Sequence, residues 1–138
     1  QENVSVKIVL PKQLTDHCEI SAQTNLLCIS SLDIRRIEYD GSADSVIIDN
    51  STGSIELTSK SDMDITADKI NGVLDINLWR ARATVHISEE NIPAVEINGR
   101  KCSIAYIKDG KTYEPDTAEK SGVIKAAGIG ADVVVEIK

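Results

Sequence analysis

Short segments in which apolar and polar residues alternate recur along most of this chain. Their centres are evenly spaced, at positions 37–39, 46–48, 55–57, 64–67, 74–78, 83–87, 95–97 and 104–106. The gaps between them hold Gly, Asn, Asp and Ser, at 40–42, 50–53, 59–62, 71–72 and 98–99. Alternation with a period of two, bounded by turn residues, is typical of half-buried strands. The pattern therefore predicts an all-β domain built from short strands, roughly one every 9–10 residues.

An internal repeat narrows the choice of all-β architecture. The segment 53–57, Gly-Ser-Ile-Glu-Leu, matches 72–76, Gly-Val-Leu-Asp-Ile, and a second alternating segment follows each copy. A two-strand unit of roughly 19 or 20 residues is the size of one coil in a β-solenoid, in which successive coils stack and bury their inward side chains. We therefore predict a single-stranded β-solenoid, similar to a β-helix, with a β-sandwich as the alternative.

No linker marks a domain boundary, so residues 1–138 are predicted to form a single domain. The apolar phase of the alternation predicts inward side chains at Ile55, Leu57, Ile65, Leu74, Ile76, Leu78, Val85, Ile87, Val95 and Ile97. A stack of strands has an open edge at each end, which invites aggregation unless it is covered. We expect residues 4–10 to cover one end, and the strand-like tail 123–137 to cover or pair near the other. Between them, Asp109-Gly110 predicts a hairpin turn.

Composition and charge exclude several classes of protein. Isoleucine and valine together number 30 against 8 leucines, which favours strands over a helical bundle. The formal net charge of −7 argues against nucleic acid as a partner. No apolar run approaches the roughly 20 residues of a membrane-spanning helix, so this chain is not expected to span a membrane. The three cysteines lack zinc-site spacing; small buried side chains are the favoured interpretation, and a Cys18–Cys28 disulfide is the alternative.

The repeated units that begin at Gly53 and Gly72 resemble the Ser-Gly-Asp-Ile-x-Leu coils of bacterial adhesin-type β-solenoid domains, a family of unknown function. The segment 8–12, Ile-Val-Leu-Pro-Lys, and the closing segment 130–137 are similar to the same family, so the resemblance covers most of the chain. It implies a right-handed β-solenoid that is exported or displayed outside a membrane anchor. It implies no catalytic residues.

The start of the chain also suggests export. It begins with Gln1, and its only methionine is Met63, so we expect a mature or excised fragment of an exported protein. An extracellular or cell-surface location in a bacterial envelope follows as an expectation. The expected partner is a glycan, a protein or another envelope component, and the sequence specifies no oligomeric state.

The tetrapeptide Trp79-Arg80-Ala81-Arg82 holds the only tryptophan and two of the few arginines of an acidic protein. An exposed aromatic and cationic patch would bind an anionic glycan, a lipid headgroup or a partner carboxylate. The alternative, favoured because tryptophan is usually largely buried, is that Trp79 covers a corner between strands while the arginines bind neighbouring acids. Trp79, Arg80 and Arg82 are thus the candidate ligand-binding residues.

Four acids fall at equivalent outward positions of the predicted coils: Glu38, Glu56, Asp75 and Glu96. Stacked coils would align these side chains in a column with a spacing of about 4.8 Å. Like charges directly opposite one another repel, so the column requires positive charge nearby. Lysines such as Lys60 or Lys69, or solvent and salt, are the simpler source. A calcium ion bound by carboxylate oxygens, or a basic partner surface, is the alternative. No cofactor is otherwise expected.

The sequence contains no strong catalytic motif. His86 lies between Val85 and Ile87, so it is expected to point outward as a solvated side chain, and no GxSxG elbow contains Ser88. Glycan-cleaving enzymes with β-helix folds use carboxylates and arginines, but they build deep clefts from long loops, which this chain lacks. We therefore predict a non-catalytic binding, adhesion or scaffold module and not an enzyme. The alternatives are a small carbohydrate-active or metal-dependent enzyme domain and a lipid- or glycan-binding β-sandwich.

Overall fold

The computed structural model describes residues 4–11, 16–115 and 122–138. Apart from one short 3-10 helix at Glu89–Asn91, the regular elements of this part of the chain are strands, which confirms the all-β prediction. The strands are β1 His17–Ser30, β2 Asp33–Asp49, β3 Thr52–Ser59, β4 Met63–Ala67, β5 Asn71–Trp79, β6 Arg82–Ile87, β7 Ala94–Ile97, β8 Ser103–Lys108, β9 Lys111–Thr112, β10 Val123–Ile129 and β11 Asp132–Ile137. Among the described residues there is no helix with the length and apolar character needed to cross a membrane.

The strands form one curled sheet and not the two separate sheets of a sandwich. The order is β7-β10-β5-β3-β2-β4-β6-β11-β8-β9, and β1 pairs along β2. The pairings between described strands are parallel, except for the β8–β9 hairpin at the predicted Asp109-Gly110 turn. β3 and β5 pair in parallel while β4 lies between them in sequence, which supplies the crossover that parallel strands require.

The predicted repeat is present in the strand register. Gly53 pairs with Gly72 and Ile55 pairs with Leu74, so the two similar segments lie side by side. Both glycines have positive φ angles, +105° and +122°. A Cβ atom at Gly53 would lie 1.8 Å from the carbonyl oxygen of Ile34, so only glycine fits this position. The repeated glycine therefore marks the point where each strand approaches the backbone of its neighbour.

β2 is longer than the alternation predicts, because it continues through the expected turn at 40–42. Its first half pairs with β3 and its second half with β4. Gly41 lies opposite Ala22 of β1, and a Cβ atom there would lie 1.6 Å from the Ala22 carbonyl oxygen. The Tyr39 hydroxyl, with its single proton, lies within hydrogen-bond distance of the carbonyl oxygens of Ala22, at 3.1 Å, and Ser42, at 2.9 Å, which holds the bend. The predicted turn is wrong because a strand can bend at glycine while its hydrogen-bonded ladder continues.

The tail lies inside the sheet and not at its end. β10 pairs with both β5 and β7, and β11 pairs with both β6 and β8. Ile124, Val133 and Val135 are fully buried there. The expectation that 123–137 covers an end is therefore wrong, since β7 and β8, which precede the tail in sequence, lie outside it. The alternative, that the tail pairs near an end, is confirmed by the pairing of β10 with β7 and of β11 with β8. Alternation specifies the two faces of a strand but not the neighbours at its edges.

Most of the predicted core is confirmed. The buried residues of the predicted set are Ile55, Leu57, Ile65, Leu74, Ile76, Leu78, Val85 and Ile87. Val95 is only partly buried, and Ile97 is 55% exposed, so its assignment to the core is wrong. Both residues belong to β7, which pairs with β10 along one edge only. No further strand of the described chain covers them, so neither side chain is fully buried although both are apolar and occupy predicted inward positions.

The β1 end of the sheet is less covered than expected. Leu10 packs against the core, but the four large apolar side chains between residues 4 and 9 are 59–81% exposed. The prediction that residues 4–10 cover this end is therefore wrong beyond Leu10. The segment belongs to no strand.

The cysteines of the described residues are free thiols. Cys18 and Cys28 lie near opposite ends of the same strand, β1, so the disulfide alternative is wrong. Cys28 is exposed, whereas Cys18 and Cys102 are half-buried. The expected burial fails at Cys28 because the alternation within β1 turns Ile29 inward and Cys28 outward.

Candidate functional site

The corner between β5 and β6 carries the predicted aromatic and cationic residues. Trp79 is the last residue of β5, and because Leu78 points into the core, Trp79 points out and is 49% exposed. The expectation that Trp79 is buried in a corner is therefore wrong. Arg80 follows with a φ of +48°, and its guanidinium carbon lies 5.8 Å from the centroid of the Trp79 ring, within cation–π range.

Strand register brings a second cationic residue to the same corner. Ile129 of β10 pairs with Trp79, and Arg100 forms a β-bridge with Ile129 on the other side. With strands about 4.8 Å apart, the Arg100 backbone lies roughly 10 Å from that of Trp79. Lys101 follows Arg100 directly. We call Trp79, Arg80, Arg100 and Lys101 the basic corner.

The cations of the basic corner are exposed and free of acidic partners. Arg80, Arg100 and Lys101 are solvent-exposed. Among the described residues, none of the three forms an ion pair. The basic corner therefore presents uncompensated positive charge beside an exposed indole, on a chain whose net charge is −7.

Arg82 belongs to a different contact from Arg80. Its Nε donates to Asp132 Oδ2 at 2.8 Å, and its second guanidinium nitrogen lies 2.6 Å from the same oxygen. The interpretation in which arginines bind neighbouring acids therefore holds for Arg82 and not for Arg80. Sequence reasoning missed Arg100 and Lys101, although Arg100 follows Trp79 by 21 residues, the same offset that aligned Asp75 with Glu96 in the predicted coils. The inserted β10 places one strand between Trp79 and Arg100.

The predicted acidic column is present over most of its length. Glu38 pairs with Glu56, and Glu56 pairs with Asp75, in adjacent strands. Glu19 of β1 adds a further acid next to Glu38. Glu96 is not adjacent to the others, because Lys125 of the inserted β10 lies between Asp75 and Glu96. The acidic column is thus Glu19, Glu38, Glu56 and Asp75, followed by Lys125 and Glu96.

Cations at the acidic column come from residues other than the expected lysines. Arg36 bridges Glu38 at 2.5 Å and Glu56 at 2.9 Å, and the charge of Glu38 raises the pKa of Arg36. His17 forms a hydrogen bond with Glu38 at 2.9 Å, which lowers the pKa of Glu38 below its usual value. Lys125 lies 3.4 Å from Glu96. Neither Lys60 nor Lys69 forms an ion pair in the described chain.

Asp75 is the least satisfied acid of the column. Its Oδ1 atom is buried and has no hydrogen-bond partner among the described residues. Burial raises the pKa of Asp75, the charge of Glu56 raises it further, and Lys125 and Arg36 act in the opposite direction. Ionisation of the Asp75 carboxyl group therefore lowers the stability of the folded chain.

Metal ligands are available at one end of the column. One nitrogen of His17 and one oxygen each of Glu19 and Glu38 lie within 4.8 Å of one another, so these three residues could hold an ion. His17 and Glu19 are exposed. Of the four predicted calcium ligands, Glu38 and Glu56 already bind Arg36. Calcium at Glu38, Glu56, Asp75 and Glu96 thus remains a proposal.

An acidic depression on the second half of the sheet surrounds His86. It measures about 390 Å³ and is lined by Asp44, Asp62, Met63, Asp64, Thr84, His86 and Glu136. Nε2 of His86 lies 2.5 Å from Asp64, and Nδ1 lies 3.1 Å from Glu136, so this outward histidine is mostly shielded by carboxylates and not freely solvated. The Ser88 hydroxyl accepts a hydrogen bond from the Glu90 amide at the start of the 3-10 helix.

The three comparisons with known proteins add no relative to this picture. Neither a family model, nor a curated protein, nor a solved structure matches the chain.

Proposed function

We propose that this chain is a non-catalytic binding module, a right-handed β-solenoid on the outer face of a bacterial envelope, that binds an anionic glycan at the basic corner. The observation that carries the proposal is the exposed Trp79 ring with Arg80 beside it, aligned with Arg100 across one strand. The solenoid architecture is supported by the parallel pairing of the two copies of the repeat, 53–57 and 72–76. The envelope location is supported by the resemblance to adhesin-type coils.

The chemistry of the basic corner suits a charged sugar polymer. An indole ring offers a flat apolar surface for the faces of sugar rings, and guanidinium groups bind carboxylates or sulfates with paired hydrogen bonds. The corner extends from the end of β5 across the end of β10 to the bridged residue Arg100, so it presents an elongated contact to a chain-like ligand. The negative charge of the rest of the surface repels a polyanion elsewhere, which confines binding to the corner.

The sole tryptophan of the chain makes the test direct, because its fluorescence reports on the corner alone. Titration with polygalacturonate or a sulfated glycan should change the Trp79 emission, whereas neutral dextran should not. Arg80→Gln should weaken binding of the anionic polymer at least fivefold, and added salt should weaken binding by the parent chain. Arg35→Gln removes an exposed arginine elsewhere, which pairs with Asp16, and should leave the affinity unchanged.

Two outcomes would contradict this proposal. One is the absence of any fluorescence or calorimetric response to the anionic polymers at millimolar sugar concentration, and the other is an equal loss of affinity in both variants. Release of new reducing ends from the polymer would instead support the alternative, a small carbohydrate-active enzyme. In that case Glu136→Gln, in the acidic depression around His86, should abolish the release.

A further inference from the structure

The outer edge of β1 is an unused strand edge. β1 pairs with β2 along one side over 14 residues, and no described strand pairs with its other side. Cys18, Ile20 and Leu27 of β1 point toward the core but are only partly buried. A long edge of this kind, with unpaired backbone groups and half-exposed apolar side chains, favours pairing with another extended segment.

The same chain contains a segment with the matching pattern. Residues 4–10 read Val-Ser-Val-Lys-Ile-Val-Leu, so Val4, Val6, Ile8 and Leu10 share one face. Among the described residues, this segment forms no strand pairing, and its side chains from Val4 to Val9 are exposed. An exposed run of β-branched residues has the properties of a strand that lacks its partner.

Charge selects one register between the two elements. If Lys7 lies opposite Glu19, then Val6 and Ile8 lie beside Cys18 and Ile20, whichever way the segment runs. The apolar face of the segment then covers the half-exposed core side chains of β1. Glu19 is the outermost acid of the acidic column, its side chain is 73% exposed, and Lys7 would give it a cation in the adjacent strand.

Connectivity favours a segment from another molecule. A parallel arrangement within one chain would have to return from Leu10 to His17 through residues 11–16 alone, whereas parallel strands need a crossover of about a dozen residues. An antiparallel arrangement within one chain would place Leu10 opposite Asp16, but Leu10 and Pro11 line a depression with Leu32 and Ile34 that no residue of β1 lines. We propose that two copies of this chain exchange residues 4–10, each adding them as a strand to the β1 edge of the other.

The first test uses oligomeric state and charge reversal. The chain should be a dimer at micromolar concentration by sedimentation velocity and native mass spectrometry. Lys7→Glu places two acids opposite each other and Glu19→Lys places two lysines opposite each other, so each variant alone should dimerise at least tenfold more weakly. A mixture of the two variants places an acid opposite a lysine at both exchanged strands, so it should form heterodimers with near-parental affinity.

The heterodimer also separates exchange from folding back within one chain. If residues 4–10 paired with β1 of their own molecule, mixing the two variants would restore nothing. A chain that stays monomeric at 100 μM, or a mixture no more dimeric than its components, would overturn the proposal.

The second test compares the two faces of the segment 4–10. Ile8→Asp places a charge against the β1 core side chains and should weaken the dimer at least tenfold. Val9→Asp, on the opposite face of the same segment, should have less than a threefold effect. Both positions are exposed in the single chain, so neither change should alter its circular dichroism. Equal effects of the two changes would show that residues 4–10 do not dock as a strand on β1.

Discussion

The insertion of the tail strands, β10 between β5 and β7 and β11 between β6 and β8, predicts a sharp difference between two adjacent valines. Val135 of β11 points into the core and is fully buried, between Val85 of β6 and Tyr106 of β8. Val134, one residue earlier, points to the other face and is only half-buried. Threonine replaces a methyl group of valine with a hydroxyl and keeps the β-branched shape, so it tests burial with little change in strand propensity.

The expected magnitudes follow from the two environments. A hydroxyl buried without a partner costs about 1–3 kcal/mol, so Val135→Thr should lower the free energy of unfolding by roughly 2 kcal/mol. A half-exposed hydroxyl can bind water, so Val134→Thr should stay within about 0.5 kcal/mol of the parent. With a urea m-value of about 2 kcal/mol/M, the first change lowers the midpoint by about 1 M.

Equilibrium urea unfolding monitored by Trp79 fluorescence and far-ultraviolet circular dichroism measures both variants. The m-value should be the same for the parent and for each variant, since the fold is unchanged. If the tail covered an end of the sheet, Val135 would lie on an edge strand and be only partly buried, as Val95 of β7 is, so Val135→Thr would cost about 0.5 kcal/mol or less. Equal losses, or a larger loss at Val134, would therefore refute the inserted position of β11.

Two further predictions concern the repeated glycine and the acidic column. Gly53→Ala should lower the free energy of unfolding by at least about 2 kcal/mol, because its Cβ would meet a backbone oxygen. Gly110→Ala has nothing within 4 Å of its Cβ and should cost only about 1 kcal/mol, for its positive φ. Equal urea midpoints for the two variants would contradict this. Asp75 has a raised pKa in the folded chain, so the penalty of ionising it is absent below the unfolded pKa and fully present above the folded one. Asp75→Asn should therefore stabilise the protein at pH 7 by up to about 1 kcal/mol, with a gain that shrinks as the pH falls through the folded pKa and is absent below about pH 4 in thermal melts. Because Arg36 and Lys125 already supply charge to the column, millimolar calcium should raise the melting temperature no more than sodium chloride of equal ionic strength. A larger calcium effect that Asp75→Asn abolishes would support the calcium proposal instead.

The candidate site illustrates the limit of sequence reasoning. Trp79 and Arg80 are visible as an unusual pair, and the alternation that buries Leu78 already implies that Trp79 points outward. Arg100 follows β6 and β7, and only the repeat offset of 21 residues, the one that relates Asp75 to Glu96, connects it with Trp79. The distance between the two residues depends on Ile129, which lies between them in the sheet and comes from the tail.

Local sequence determined the features that depend on a single strand and its neighbour in the repeat. The alternation specifies which side chains are inward, and the spacing of Gly53 and Gly72 specifies the register in which Glu56 lies beside Asp75. Both properties arise from the backbone geometry of an extended chain, in which successive side chains point to opposite faces.

Only the tertiary structure decided the order of the strands. The inward faces of β7 and β10 are both apolar, so the local pattern allows either strand to pair with β5. Which of the two arrangements has the lower free energy depends on the packing of the whole core. The chosen order buries Ile124 and leaves Ile97 exposed, and it places Lys125 between Asp75 and Glu96. Pairing between segments far apart in sequence is a property of the assembled core, which no single segment encodes.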